Sequence, residues 1–111
     1  MSLERIIQES VPGKQITIAH VIASPSYEIP QRIGIEESQA LGILTLTPSE
    51  TAIIAADYCL KSAPVDLGFV DRFTGSVVIS GEVDAVSYAL EEVCKMFQNI
   101  LGFTVVQVTR S

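Results

Sequence analysis

The sequence predicts an α+β domain in which helices cover one face of an antiparallel sheet. A chain of 111 residues has room for one domain with one hydrophobic core. Hydrophobic residues make up 48% of the chain and charged residues only 18%, a composition that excludes intrinsic disorder. From residue 40 onward, the apolar patterns follow the order β-α-β-β-α-β, which is the split βαβ layout.

The first forty residues are expected to hold an extended arm, a strand and a short helix. Residues 3–10 read as the arm, and the Pro12-Gly13 pair predicts a turn after it. Residues 15–22 are β-branched and apolar, as in a strand. Residues 26–33 can form a short helix closed by Gly34, although Pro30 interrupts it or marks its start.

The middle of the chain predicts a strand, a helix and a hairpin. Residues 40–46 read as a buried strand. The run Thr47-Pro-Ser-Glu50 matches a capping box with proline at the first helical position, so a helix is expected from there to about Ser62. Residues 65–70 and 76–80 read as strands joined by the loop Asp71–Gly75.

A second helix and a last strand complete the pattern. Glu82 and Asp84 favour a helix start. Gly102 is expected to end the helix, and residues 103–109 to form the last strand. The apolar stripe of this helix has helical spacing and comprises Val86, Ala89, Leu90, Val93, Phe97, Ile100 and Leu101.

Charge and hydropathy limit the partners. The net charge is −6, with 7 basic residues scattered among 13 acidic ones, which disfavours nucleic acid. No apolar run approaches the roughly 18 residues of a membrane span, and the N-terminus lacks a signal-peptide pattern. A cytoplasmic protein is therefore expected, and its surplus apolar surface predicts a subunit interface.

The residues offer little catalytic chemistry. His20 is the only histidine and is expected to be structural, bonded to backbone. Cys59 and Cys94 are expected as buried apolar residues on helices, not as a disulfide or a metal site. The odd spacing of Asp66 and Asp71 predicts that they face opposite sides of a strand. We expect no enzyme activity, no cofactor and no metal.

Several short motifs follow one another from residue 40 onward. They are Ala40-Leu-Gly-Ile43, Ala55-Ala-Asp57 with Lys61, Phe69-Val-Asp-Arg72 and Gly81-Glu-Val-Asp-Ala-Val86. In this order they resemble the motifs of the bacterial microcompartment (BMC) shell proteins. About forty residues precede this start, and they include Arg5-Ile-Ile-Gln-Glu9 and Val11-Pro-Gly-Lys-Gln15. With its domain start displaced in this way, the chain resembles the circularly permuted subfamily, which comprises the minor shell proteins of ethanolamine, propanediol or choline utilisation compartments.

The resemblance implies a single permuted BMC domain over residues 1–111, with a ferredoxin-like antiparallel sheet. Residues 1–12 would be an N-terminal barrel arm, 13–39 a permuted strand and short helix, and 40–111 the β-α-β-β-α-β core. It leaves open whether the stretch at 16–25 or the one at 104–109 fills the last-strand position of the unpermuted sheet.

The function implied is that of a structural, non-enzymatic shell subunit. Homohexamers would tile, with other shell proteins of the compartment, around a metabolic enzyme core in the cytoplasm. Encapsulated enzymes or cargo peptides are further candidate partners.

The resemblance also assigns three assembly features. Lys61 matches the lysine at the hexamer edge, although a lysine near a helix C-terminus is also favoured by the helix dipole. The pore-loop hairpin aligns with Arg72, Phe73, Thr74 and Gly75, although Phe73 also suits a core position at a strand end. The arm is expected to supply one strand of an axial six-stranded parallel β-barrel capping the pore, through Glu4, Arg5, Ile6, Ile7, Gln8 and Glu9.

Two other functions remain open on the residues alone. A small-molecule or nucleotide-binding regulatory domain of ferredoxin-like fold has a similar order of elements, but should carry a basic loop for phosphates. Arg72 is the only basic residue in the one loop of note. An enzyme subunit that needs a partner for its active site is the third option.

Overall fold

The computed structural model describes residues 13–24 and 39–111. The elements within them are β1 (Gln15–Ile22), β2 (Ala40–Thr47), α1 (Thr51–Ser62), β3 (Asp66–Asp71), β4 (Ser76–Gly81), α2 (Val83–Asn99) and β5 (Thr109–Arg110). The strands form one five-stranded sheet in the order β3-β4-β2-β1-β5. The arm expected at residues 3–10 and the short helix expected at 26–33 lie outside the described residues.

Both helices pack on one face of the sheet, as the sequence predicts. The α2 stripe is buried at Val86, Ala89, Leu90, Val93 and Phe97. The small side chains of α1 that are buried are Ala52, Ala55, Ala56 and Cys59. At Gly42 a Cβ would lie 2.7 Å from Val86 Cγ1, so this glycine brings the backbone of β2 directly against α2.

The N-terminal strand β1, rather than the C-terminal segment, lies beside β2. Their antiparallel pairing runs from Gln15 opposite Thr47 to Ile22 opposite Leu41. The C-terminal residues run parallel to β1 on its outer side, where only Thr109–Arg110 forms a strand.

The expectation of a continuous strand over residues 103–109 is wrong. Gln15 lies opposite Thr104 and His20 opposite Thr109, so the two segments stay in register at both ends. Residues 105–108 between these contacts form no strand. The pairing between β1 and the C-terminal segment is interrupted next to a bulge in β1, between Ile16 and Ile18, because a bulge locally disrupts strand pairing.

Both helix boundaries differ from their sequence signals. The capping-box prediction is wrong, because α1 begins at Thr51 and its N-cap Glu50 makes no side-chain capping bond. The Thr51 hydroxyl instead donates to the Pro48 carbonyl at 2.6 Å. At the other end, α2 stops at Asn99, and Ile100, counted in the apolar stripe, is 75% exposed.

Candidate assembly surfaces

The hairpin between β3 and β4 is held by the carboxylate of Asp71. Asp71 Oδ1 accepts hydrogen bonds from the backbone N–H of Phe73 at 2.9 Å and of Thr74 at 3.3 Å. The Gly75 N–H donates to the Asp71 carbonyl at 2.8 Å. The bonds from Phe73 and Thr74 to the side chain favour the charged carboxylate, the one from Phe73 most, and hold the pKa of Asp71 below its ordinary value.

Gly75 is required where the hairpin returns to the sheet. Its φ is +78°, in the left-handed region, and a Cβ there would collide with the Leu46 carbonyl oxygen. The same approach lets the Leu46 N–H donate to the Gly75 carbonyl at 2.8 Å. The hairpin is therefore tied to the end of β2 and has a defined position.

Arg72 and Phe73 project from the hairpin together. The Arg72 guanidinium carbon lies 4.9 Å from the centre of the Phe73 ring, which is cation–π geometry. Phe73 is 79% exposed, so its alternative reading as a core residue is wrong. The four residues aligned with the pore loop lie together on one turn, in which Arg72, Phe73 and Thr74 are exposed and Gly75 is buried.

A groove of about 450 Å³ runs beside this hairpin along the edge of the sheet. Ile53 from α1 forms one wall, and Phe69 and Val70 from β3 form another. Asp71, Arg72 and Phe73 close the hairpin end. This groove was not predicted from the sequence. The signal that could have indicated it is the pair of large apolar residues, Leu67 and Phe69, on a strand that lies at the edge of the sheet.

Lys61 lies on the exposed side of α1, in its last turn. Its Nζ is 2.8 Å from Asp57 Oδ2 one helical turn back. Exposed pairs at this spacing contribute little to stability, about 0.3–0.5 kcal/mol. Ile54, exposed on the same helix, shares this face by spacing, since residues three and four apart lie side by side.

Asp66 and Asp71 do not form a catalytic pair. They lie opposite Ser80 and Ser76 of β4, positions on the same face of that strand, so the expectation that they face opposite sides is wrong. A register shift between Leu67 and Phe69 accounts for the change of face. The two carboxylates nevertheless stand at opposite ends of β3.

His20 fastens the C-terminal residues to β1. Its Nδ1 shares a hydrogen bond of 2.5 Å with the Thr109 hydroxyl, and its Nε2 one of 2.8 Å with the Ser111 hydroxyl. His20 therefore has the structural role that the sequence predicts, but the prediction that it bonds to backbone is wrong, because its partners are two side-chain hydroxyls. The contact joins residues about ninety positions apart, which no local pattern in the sequence reveals.

Both cysteines are free and buried, as expected. Burial raises the pKa of Cys59 to about 12, with Cys94 adding to the effect. Burial, with a contribution from Glu91, raises the pKa of Cys94 to about 11. Both thiols stay protonated near neutral pH and are poor nucleophiles and poor metal ligands.

Within residues 13–24 and 39–111, no group of three or more histidine, cysteine or carboxylate side chains could hold a metal ion. None of the described helices has the length and hydropathy to cross a membrane. The axial-barrel candidates, Glu4 to Glu9, lie outside the part of the chain that the structure describes.

Residues 40–109 match the model of the BMC domain family. The chain is 53% identical over 109 residues to the bacterial microcompartment shell protein CutR of Streptococcus intermedius, covering 98% of this chain and 94% of that protein. It is 50% identical over 111 residues to the shell protein EutS of Escherichia coli K12, covering all of both chains.

Solved structures give the same result. A structure described as a CutR flat hexamer superposes with a TM-score of 0.87 and 51% sequence identity. The superposition covers 93% of this chain and 95% of that one. The fold described above is therefore one that a relative uses in a hexamer.

Proposed function

We propose that six copies of this chain close into a ring and that such rings tile into the shell of a bacterial microcompartment. The chain belongs to the BMC-domain family and has a structural, non-enzymatic role in the shell. The observation that carries the proposal is the likeness, over 93% of the chain, to a relative solved as a flat hexamer. Surplus apolar surface on a small domain supports it, because such surface is usually covered by a neighbouring subunit.

We further propose that the domain is circularly permuted. In the split βαβ layout the last strand lies beside the first strand of the motif. Here that motif begins with β2, and its neighbour is β1 from the N-terminal part of the chain. The two-residue β5 lies one position further out. This supports the assignment of residues 15–22, rather than 104–109, to the last-strand position.

The hairpin residues Arg72, Phe73, Thr74 and Gly75 are proposed to surround the six-fold axis. Their fixed position supports this, because the Asp71 carboxylate holds the turn together and the Gly75 carbonyl accepts a hydrogen bond from Leu46 of β2. Six copies of the exposed Arg72 would place six guanidinium groups around the opening, each beside the carboxylate of Asp71 in its own hairpin. The arm residues Glu4 to Glu9 are proposed to cap that opening as a six-stranded parallel barrel, since barrel closure satisfies strand edges.

Lys61 is proposed to act at the contact between neighbouring rings. Its side chain is exposed, and its ammonium pairs with Asp57, also exposed, on its own helix. A lysine stem can pack across such a seam while the ammonium reaches an oxygen of the neighbour. Binding of encapsulated enzymes or cargo peptides stays a prediction from the family resemblance.

The regulatory-domain alternative gains no support from the hairpin. A phosphate-binding loop should offer free N–H donors and several cations. In this hairpin the N–H groups of Phe73 and Thr74 are already bonded to the Asp71 carboxylate, a negative charge that repels phosphate. Arg72 is its one cation and stacks on Phe73.

Electron microscopy of the purified protein, alone and with other shell proteins of the compartment, tests the proposal. Six-fold particles about as wide as a ring of six such domains, or sheets built from them, are expected. Three-fold particles would favour the regulatory alternative, and single domains would contradict the shell proposal.

A further inference from the structure

The sheet ends in two apolar edges that differ from each other. One edge is β3, where Leu67 and Phe69 are each 41% exposed. The other is formed by the C-terminal segment beside β1, where Ile18 is 48% and Val106 39% exposed. We call them the β3 edge (Ile53, Leu67, Phe69) and the C-terminal edge (Ile18, Val106). Large apolar side chains exposed on strand edges are sites for contact with another chain.

The β3 edge is concave. Its groove is walled by Ile53 from the helix layer and by Phe69 from the strand. Leu67 lies opposite Ile79, a core residue under the helices, whereas Phe69 lies opposite Val78 on the other face. The bulge between them therefore turns apolar side chains to both sides of the strand, and a neighbour can contact both layers along one edge.

The C-terminal edge is irregular. Residues 105–108 run beside β1 without forming a strand, although the contacts on either side keep the same register. Val105 and Val108 pack against the core, which leaves Val106 directed away from it. A segment of this kind presents an apolar side chain and backbone groups to an adjacent molecule.

Cyclic symmetry requires two such unlike surfaces. A two-fold dimer joins one patch to itself, whereas a six-membered ring joins one patch of each subunit to a different patch of the next. We propose that, in the ring, the β3 edge of each subunit receives the C-terminal edge of the neighbouring copy of this chain. The proposal rests on the hexamer of the proposed function and names the surfaces that close it.

The charges at the two edges support this pairing. The β3 edge carries two carboxylates, Asp66 and Asp71, with Arg72 at its hairpin end. The flank of the C-terminal edge carries Lys14 at one end and Arg110 at the other, and residues 104–109 between them are uncharged. Opposite charges on facing surfaces fix orientation and register more than they add affinity.

Charge insertion at each edge tests the proposal. The variants are Phe69→Asp and Val106→Asp, each at an exposed position, with circular dichroism to establish that they fold. The matched control is Ile54→Asp, which adds the same charge at an exposed isoleucine on the face of α1 that carries Asp57 and Lys61. Absolute mass by light scattering is the measurement. We expect either edge variant to fall from six chains to one, and the control to keep the mass of the unaltered protein.

Mixing the two edge variants is the decisive step. Each retains one intact edge, so a mixture should form a 1:1 dimer, because the β3 edge of the Val106→Asp chain still receives the C-terminal edge of the Phe69→Asp chain. If both variants stay hexameric while the unaltered protein is a hexamer, or if the mixture stays monomeric, the edge pairing is wrong and the shell role stands. If the unaltered protein is itself monomeric, the proposed hexamer fails first.

Discussion

Gly75 and Leu46 approach each other so closely that no side chain fits between them. The Leu46 N–H donates to the Gly75 carbonyl at 2.8 Å, and a Cβ on Gly75 would overlap the Leu46 carbonyl oxygen. This contact fixes the hairpin that carries Arg72 and Phe73 against the end of β2. The position proposed for the pore loop therefore depends on one glycine at a strand junction.

Gly75→Ala should destabilise the domain by about 2–4 kcal/mol, because left-handed backbone strain adds to an overpacked contact. Gly13→Ala is the control, since Gly13 also has a positive φ, +87°, but nothing lies within 4 Å of its missing Cβ. Its cost should be about 1–2 kcal/mol, from backbone strain alone. Chemical denaturation measures both, and equal losses would mean that the contact with Leu46 is unimportant.

Asp71 should make the stability of the hairpin depend on pH. Its folded-state pKa lies below the ordinary value, so its contribution is present above the unfolded-state pKa, about 3.9, and is lost as pH falls through the folded-state value. Asp71→Asn keeps an oxygen acceptor without the charge. We expect this variant to be less stable than the unaltered protein at pH 7, and the difference to shrink as the pH falls below about 3.9 and through the folded-state pKa of Asp71. A difference that stays constant over this range would show that the charge has no part in holding the turn.

Cys59 and Cys94 should react very slowly with thiol reagents in the folded protein. Because their pKa values are raised to about 12 and about 11, thiolate at pH 8 is roughly two to three orders of magnitude scarcer than in a free cysteine of pKa about 8.5. Burial slows access further. Colour development with a disulfide reagent should be slow in buffer and complete within the mixing time in guanidinium. Rapid modification of the native protein would place at least one thiol at the surface.

Lys61→Ala should separate assembly from stability. The ion pair with Asp57 is exposed on both sides, so the free energy of unfolding should change by no more than about 0.5 kcal/mol. If Lys61 acts at the seam between rings, the variant should keep the mass of six chains but form fewer or no sheets in electron micrographs. Asp57→Ala removes the same ion pair and keeps the lysine, and it should still form sheets. If both variants form sheets, Lys61 does not act at the contact between rings.

The core elements could be predicted because their residues carry periodic patterns. The stripe from Val86 to Phe97 has the spacing of a helix, and it is buried as predicted. The capping box predicted at Thr47–Glu50 is absent, because a residue pattern typical of a capping box does not by itself determine where a helix begins. The hydroxyl of Thr51, bonded to the Pro48 carbonyl, is found at that turn instead.

The remaining features depend on contacts between distant segments. The bulge in β3 changed the relative faces of Asp66 and Asp71, which spacing alone assigned wrongly. The link from His20 to Thr109 and Ser111 joins the two ends of the described chain, and only tertiary structure places them together. The groove beside Phe69 likewise exists because β3 is an edge strand, a property of sheet order and not of local sequence.

The absolute mass of the unaltered protein in solution, by light scattering on a size-exclusion column, tests the central claim most directly. A ring of six chains of 12.0 kDa should give about 72 kDa, independent of concentration above the dissociation range. A mass of about 12 kDa at high protein concentration would contradict the hexamer, and with it the pore, the seam and the pairing of edges.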